Sequence, residues 1–253
     1  MTMFEILSRT SLKTLDAIRC ANKELDTITY NSYFLELYKK RNNIVSGFLV
    51  QNLKGSIRYV NHFVPSPHSE TIDLRKVLPR DARILASSEQ GLIFIEGKDH
   101  LNPNKALYQV CKPATRQSLE VPNPNLDYVT QKAAIVIMGL KPLRFKIVRL
   151  SQPLPGKTKY YYEIFNSKTK AWSRPYPITK FTAGAFLLDD AQEPITTGGS
   201  INMLLNNNII LKFNVYSEEW KVFSSPIIPA QKYQDYTCKR LVKFEGKLGF
   251  TCK

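Results

Sequence analysis

Histidines are the residues of this sequence with the broadest catalytic and metal-binding use, and their spacing decides what they could do. His62, His68 and His100 do not form H-E-x-x-H or another ligand spacing typical of zinc sites. His62 and His68 flank a proline-rich stretch, so we interpret them as solvent-exposed loop residues. The sequence also lacks G-x-S-x-G, G-x-x-x-x-G-K-[ST] and G-x-G-x-x-G. It therefore predicts no catalytic residue, no metal site and no cofactor.

Two pairs of neighbouring carboxylates are the candidates for glycosidase chemistry, which uses two acidic side chains. They are Asp189-Asp190 and Glu218-Glu219. Adjacent residues of a strand point to opposite faces, and those of a turn are usually solvated. A glycan-processing enzyme is therefore the weakest of the functional hypotheses. Loss of glycan turnover on changing Asp189 and Asp190 would support it.

The cysteines and the start of the chain predict the compartment. The four cysteines are far apart and form no C-x-x-C, so we interpret them as buried thiols rather than zinc ligands or disulfides. No stretch approaches the roughly 20 apolar residues of a membrane span. The first nine residues include Glu5 and Arg9 and do not resemble a signal peptide. We expect the protein in the cytoplasm, the nucleus or both. The cysteines are Cys20, Cys111, Cys238 and Cys252.

The charge of the chain raises nucleic acid as a partner. Lysine and arginine number 36 against 21 aspartate and glutamate, which gives a net charge of +15. The basic residues are scattered along the chain, and the densest run, Lys39-Lys40-Arg41, is short. Nucleic-acid modules more often concentrate such residues on one element or interleave them with stacking aromatics. The distribution therefore argues against nucleic-acid binding.

Hydrophobic periodicity divides the chain into three segments. Apolar residues recur at spacings of three and four through the first forty residues, which predicts several short helices, with Ser11 and Asn31 as N-caps. A looser, proline-containing stretch with a strand near residues 57–64 follows. Short apolar runs then alternate with turn residues to the end, as in antiparallel strands. The predicted segments are residues 1–42 (helical), 43–83 (connector) and 84–253 (β). The predicted β runs are residues 84–86, 92–95, 106–110, 133–138, 145–150, 160–165, 201–205, 209–213 and 241–244.

A repeat runs through the β segment. A strand, a polar turn, a bulky residue and a proline follow one another around Asn166 and Trp172, and again around Asn214 and Trp220. A weaker copy is centred on Lys112. Asn214 lies 48 residues after Asn166, which lies 54 after Lys112. A period near fifty is typical of kelch-like β-propeller blades, in which Trp172 and Trp220 would pack between blades. Gly198-Gly199 predicts a hairpin turn with positive φ.

The N-terminal segment resembles the F-box of plant F-box proteins. The similarity lies in Phe4-Glu-Ile-Leu-Ser-Arg and the following Leu-Lys-Thr-Leu-Asp-Ala-Ile-Arg-Cys20, and continues through Ser32-Tyr-Phe-Leu-Glu-Leu-Tyr-Lys-Lys-Arg41. The β segment resembles the F-box-associated domain. Its strand Phe145-Lys-Ile-Val-Arg-Leu150 and its hairpin at residues 241–250 carry that similarity.

This resemblance implies a fold and a function. The fold is α+β and multidomain, with a short helical F-box followed by an all-β, propeller-like domain. The protein would be a non-catalytic substrate receptor of an SCF-type ubiquitin ligase: the F-box docks a Skp-type adaptor, and through it a cullin scaffold, while the β domain binds a target protein for degradation. The residues that would form or support the docking face are Ile6, Leu7, Leu12, Leu15, Ile18 and Cys20.

The sequence departs from the family pattern at three places. The Leu-Pro element that normally precedes the E-I-L helix is missing, Thr10-Ser11 replaces a second Leu-Pro, and Glu24 or Leu25 stands near the usual tryptophan. Residues 84–253 would make only three or four blades. We therefore expect a truncated or divergent member. The alternative hypothesis is a β-rich protein-interaction module that has lost its ligase role.

Overall fold

The structure is a computed structural model. It describes residues 2–10, 14–15, 18, 21–29, 31–42, 47–54, 58–67, 71–98, 106–124, 127–140, 142–153, 159–179, 192–205, 209–224, 239–244 and 247–252. The chain divides into two compact units. Met1–Ala82 with Pro113–Gln117 form the helical unit, and Arg83–Lys112 with Ser118–Lys253 form the β unit.

The helical unit contains short helices and one β-hairpin. The helices whose bounds lie within the described residues are α1 (Met3–Leu7), α2 (Lys23–Thr29) and α3 (Ser32–Asn42). Strands β1 (Gly47–Lys54) and β2 (Arg58–Pro65) pair antiparallel, and a 3-10 helix, Leu74–Lys76, follows. The strand predicted near residues 57–64 is confirmed as β2. Its partner β1 lies within the segment that was predicted to be mainly connector.

The β unit is a series of antiparallel sheets, each built from strands that are consecutive in the chain. The first sheet has the order β3-β4-β5-β6, the second β7-β8-β9-β10 with β11 also paired to β9, the third β12-β13-β14-β15, and the fourth β16-β17. None of these sheets closes on itself. The strands are β3 (Arg83–Ser87), β4 (Ile93–Lys98), β5 (Ala106–Lys112), β6 (Gln117–Val121), β7 (Tyr128–Leu140), β8 (Leu143–Pro153), β9 (Tyr161–Asn166), β10 (Ala171–Trp172), β11 (Tyr176–Pro177), β12 (Ile195–Thr197), β13 (Ser200–Leu204), β14 (Ile209–Asn214), β15 (Glu219–Ser224), β16 (Lys239–Phe244) and β17 (Lys247–Cys252).

Successive sheets meet along their first strands. β3 contacts β7, β7 contacts β12, and β12 contacts β16. Between the sheets lie apolar cores, because each sheet has apolar residues on both faces. One core joins the first and second sheets through Phe94 and Ile147, a second joins the second and third through Val148 and Phe213, and a third joins the third and fourth through Leu204 and Leu241. The β unit is therefore held together by face-to-face packing of neighbouring sheets.

The turn between β12 and β13 has the predicted geometry. Gly198 and Gly199 have φ of 51° and 73°, the left-handed region that a two-residue hairpin turn requires. A Cβ on Gly199 would lie 2.2 Å from Cε2 of Tyr216, so any residue larger than glycine would clash with the Tyr216 ring.

None of the helices within the described residues has the length and the apolar content that a membrane span requires.

Candidate functional site

The helices of the helical unit enclose a small apolar core of their own. Leu7 and Leu15 are 3% and 1% exposed, and they pack with the rings of Phe34 and Tyr38 from α3. The rings of Phe34 and Tyr38 stack with their centroids 5.6 Å apart. Phe4, Ile18, Leu25 and Ile28 are partly buried around them. All members of this core come from residues 4–38, so the core joins the helices to one another.

Some apolar side chains of the same helices point away from this core. Met3 and Ile6 are 50% and 44% exposed, and their spacing of three residues places them on one face of α1. Tyr33, at the start of α3, is 66% exposed, and its ring contacts the edge of Phe4 at 5.8 Å between centroids. We call Met3, Ile6 and Tyr33 the α1 surface. It consists of three exposed apolar side chains beside a packed core. Exposed apolar patches are a feature of protein interaction sites.

Capping bonds fix where the helices begin. Thr2 and Glu5 form a capping box at α1, with Thr2 N donating to Glu5 Oε2 at 3.0 Å. Asn22 Oδ1 accepts from Glu24 N at 2.8 Å ahead of α2. Asn31 Oδ1 accepts from Tyr33 N at 3.0 Å, which confirms Asn31 as an N-cap. The other predicted cap, Ser11, lies outside the described residues.

Long-range hydrogen bonds attach α3 to the end of α1. Arg41 Nη1 donates to the carbonyl oxygen of Glu5 at 3.2 Å and to Ser8 Oγ at 2.5 Å. The Tyr38 hydroxyl donates to the carbonyl oxygen of Thr10 at 3.1 Å. The Arg41 guanidinium at the Glu5 carbonyl and the Tyr38 hydroxyl at the Thr10 carbonyl supply donors near the C-terminal end of α1, where a helix leaves carbonyl oxygens unpaired. The position of the α1 surface therefore depends on α3, the last helix of the segment.

The residues predicted for adaptor docking fall into separate groups. Ile6 lies on the α1 surface. Leu7 and Leu15 lie in the helical core, where they support the surface without forming it, and Ile18 packs partly buried against the same core. Leu12 and Cys20 lie outside the described residues. Met3 and Tyr33 were not predicted. Periodicity could not single them out, because it does not show which apolar side chains turn outward.

The repeated hairpins share a turn geometry. Asn166 ends β9 and Asn214 ends β14, and each Oδ1 accepts a backbone N–H two residues later, from Lys168 at 2.9 Å and from Tyr216 at 2.8 Å. Four residues after each asparagine the backbone is left-handed, with φ of 54° at Lys170 and 56° at Glu218. In the weaker copy, Arg116 lies four residues after Lys112 and has φ of 53°. These asparagines are turn residues. A left-handed residue four positions after the end of the strand recurs between the third and fourth strands of the first three sheets.

The repeated tryptophans occupy equivalent places. Trp172 lies opposite Phe165 in the second sheet, and Trp220 lies opposite Phe213 in the third. Each ring also reaches the preceding sheet: Trp172 contacts Phe94 at 6.3 Å between centroids, and Trp220 contacts Tyr162 at 5.5 Å. Trp172 Nε1 donates to the carbonyl oxygen of Pro122 at 2.7 Å. Both tryptophans therefore join one sheet to the sheet before it.

A buried ion pair lies inside the second sheet. Arg149 of β8 and Glu163 of β9 are each 1% exposed, and an Arg149 Nη1–Glu163 Oε2 hydrogen bond joins them. Arg149 Nε donates to Thr130 Oγ1 at 2.7 Å, and Nη2 donates to the carbonyl oxygen of Tyr128. Nearby, Tyr108 donates to Glu96 Oε1 at 2.6 Å, and burial raises the pKa of Tyr108 with the Glu96 carboxylate adding to it. These bonds are internal to the protein, so the cluster is structural.

The residues considered for catalysis are dispersed. His62 is exposed, but it lies in strand β2, so its interpretation as a loop residue was wrong. Glu218 occupies the left-handed turn position and binds Lys146 Nζ at 2.7 Å. His68, His100 and Asp189-Asp190 lie outside the described residues. Within the described ranges, His, Cys, Asp and Glu form no group of three that could hold a metal ion.

Cys111 should react slowly in the folded protein. It is a buried free thiol in β5, and burial raises its pKa to about 11 from an ordinary value of 9.0. Since the thiolate is the reactive form, that shift lowers its population about a hundredfold near neutral pH. Alkylation by iodoacetamide at pH 7.5, followed on the Cys111 peptide by mass spectrometry, should therefore be slow in buffer and fast in urea. Equal rates in the two solvents would show that Cys111 is accessible.

One known protein similar to part of this chain is an F-box protein. An F-box protein of Arabidopsis thaliana is 26% identical over 161 residues, which cover 59% of this chain and 83% of that protein. No protein-family model matches the chain. A post-proline cleaving enzyme from Rickettsia typhi matches with a TM-score of 0.41 and 12% identity, over 80% of this chain and 30% of that enzyme. The chain thus spans about 30% of the enzyme's length, and the low TM-score assigns neither a fold nor an activity.

Proposed function

We propose that this chain is a non-catalytic substrate receptor of an SCF-type ubiquitin ligase, and that the α1 surface docks a Skp-type adaptor. The observation that carries this proposal is that some apolar side chains of the helices are buried in the helical core while others are exposed to solvent. Leu7 and Leu15 are enclosed, whereas Met3, Ile6 and Tyr33 are exposed. Each large apolar side chain removed from water contributes about 1.5–3 kcal/mol, so a partner that covers the surface gains substantially.

The low-identity similarity to an Arabidopsis F-box protein supports the same proposal. In it, residues 1–42 act as the F-box and bring a cullin scaffold through the adaptor. Thr10-Ser11, which stands where the family has Leu-Pro, reduces the apolar area available for docking. We therefore expect an adaptor complex that is weaker than a typical one.

The β unit is the proposed target-binding part, and we propose that its sheets are blades of a propeller-like domain. Four-stranded antiparallel sheets with strands in sequence order, contact through their first strands and apolar cores between neighbours support this interpretation. So do the equivalent places of Trp172 and Trp220. The proposed location of the protein is the cytoplasm or the nucleus, where the ligase partners act.

Affinity purification from plant cells with mass spectrometry tests this function. Tagged wild-type chain should retain a Skp-type adaptor and a cullin, and an Ile6→Asp variant should lose both, because a carboxylate would lie in the apolar contact. Phe48→Asp is the matched control. Phe48 is 71% exposed in the same unit, but it belongs to β1 and not to the α1 surface, so this variant should retain the adaptor.

The same purification separates the proposal from its alternative. If wild-type chain retains no adaptor but keeps a specific target protein, the chain is a β-rich interaction module that has lost its ligase role. Equal recovery of the adaptor with wild-type and Ile6→Asp chains would show that docking does not use the α1 surface.

A further inference from the structure

A cleft of about 950 Å³ lies in the helical unit beside β2. One wall is formed by residues 59–63 of that strand, and the opposite wall by residues 71–75 and 78–81. Five consecutive residues of one strand line it, so the cleft runs along the edge of the strand. Its volume falls in the range of pockets that hold small ligands, about 300–1,000 Å³.

The strand that lines the cleft has one side without a neighbouring strand. In the part of the chain that the structure describes, β2 pairs only with β1. In an antiparallel pair, alternate residues direct their N–H and C=O groups away from the partner strand. Such an edge is a template for a further extended chain, and the cleft leaves room for one.

Both walls of the cleft are held in place. Asn61 joins them, since its Nδ2 donates to the carbonyl oxygen of Ala82 at 2.7 Å while its Oδ1 accepts from Gln51 Nε2 at 2.8 Å. On the far wall, Leu74 and Leu78 are 5% and 7% exposed. Because the opening is anchored before a ligand arrives, little ordering of the protein is needed on binding.

The charges of the lining favour recognition through the backbone. The lining contains two arginines, Arg75 and Arg80, and two carboxylates, Asp73 and Asp81, so it has equal numbers of each sign. Arg75 and Asp73 are also bound to each other, with 3.0 Å between Nε and Oδ1. A phosphate or a nucleic acid would require an excess of positive charge.

We propose that this cleft binds an extended peptide segment of a partner protein, which adds to β2 as a third strand. Hydrogen bonds to the outward N–H and C=O groups of residues 59–63 hold the peptide backbone. Tyr59 and Phe63 provide apolar contacts for its side chains. This site does not depend on adaptor docking, and it adds a peptide-binding site in the helical unit to the target-binding part proposed for the β unit.

Selection of a random dodecapeptide phage library on the purified full-length chain provides the probe. A selected peptide, labelled with fluorescein, is then titrated by fluorescence anisotropy. Backbone N-methylation at residues that face β2 should weaken binding about tenfold for each lost hydrogen bond, whereas methylation at the intervening residues should have little effect. This alternation is specific to strand addition and needs no change in the protein.

A protein variant locates the site. Thr71→Trp places a large side chain in the cleft and should abolish binding of the selected peptide. Asn52→Trp adds the same side chain on β1, outside the lining, and should leave affinity unchanged; circular dichroism melting checks that both variants fold. The proposal is overturned if selection yields no binding peptide, if N-methylation has no alternating effect, or if Thr71→Trp and Asn52→Trp bind equally well.

Discussion

Replacing Arg149 with methionine should destabilise the β unit by about 3–5 kcal/mol, because Glu163 would remain as a buried charge without its partner. Both side chains are 1% exposed, so water cannot compensate for the lost guanidinium. The acceptors at Thr130 Oγ1 and Tyr128 O would also lose their donor. Urea unfolding followed by tryptophan fluorescence measures the change, since Trp172 and Trp220 both lie in the β unit.

Two further variants separate the buried charge from simple loss of volume. Arg149→Met with Glu163→Leu removes both charges and should recover most of the lost stability. Lys146→Met removes an ion pair from the same strand, but its partner Glu218 is 49% exposed. That change should cost no more than about 1 kcal/mol. If Arg149→Met and Lys146→Met were equally mild, the burial of the Arg149–Glu163 pair would be refuted.

Leu15→Asp should unfold the helical core, at a cost of about 4 kcal/mol or more. Truncating a buried leucine already costs about 2–5 kcal/mol, and the aspartate adds an unpaired charge among Leu7, Phe34 and Tyr38. Hydrogen exchange measured by mass spectrometry should show faster exchange of the amides in α1 and α3. The strands of the β unit, which have their own cores, should keep their protection.

Two substitutions that leave the helical core packed serve as controls for Leu15→Asp. Leu15→Met conserves volume and should cost less than about 1.5 kcal/mol. Ile6→Asp changes an exposed side chain and should stay within about 0.5 kcal/mol of the wild type. If Ile6→Asp accelerated exchange as strongly as Leu15→Asp, Ile6 would belong to the core and the α1 surface would not exist.

The inner strands of the β unit could be predicted from the sequence, because they are apolar on both faces. β8 is an example, since its central residues 147–151 are buried throughout. The turns of the repeat were also predictable, since asparagine in a polar turn after an apolar strand favours a side-chain bond to the backbone. The repeat period near fifty residues also predicted small sheets that follow one another along the chain.

The outer strands could not be predicted, because most of their residues are exposed and their sequences therefore show no alternation of apolar and polar residues. β6 is exposed at four of its five residues, and β10 and β11 have two residues each. β15 begins with Glu219 and is buried mainly at Trp220. A strand that hydrogen-bonds along one edge and faces water on both sides has the composition of a loop.

The candidate site was predictable in location but not in detail. Helical periodicity identified Ile6, Leu7 and Leu15 together, since all belong to one run of apolar residues. Only the positions of Phe34 and Tyr38 decide that Leu7 and Leu15 face inward and Ile6 outward. The ion pair of Arg149 with Glu163 could not be predicted either, because a single arginine in an apolar strand does not indicate a partner 14 residues away.

Calorimetric titration of a purified Skp-type adaptor into the full-length chain tests the α1 surface most directly. Wild-type chain should bind one adaptor with saturable heat, and Ile6→Asp should weaken the affinity at least about thirtyfold, as expected for a central apolar contact. Absence of binding by the wild-type chain, or the same dissociation constant for both chains, would contradict the proposed receptor role of this surface.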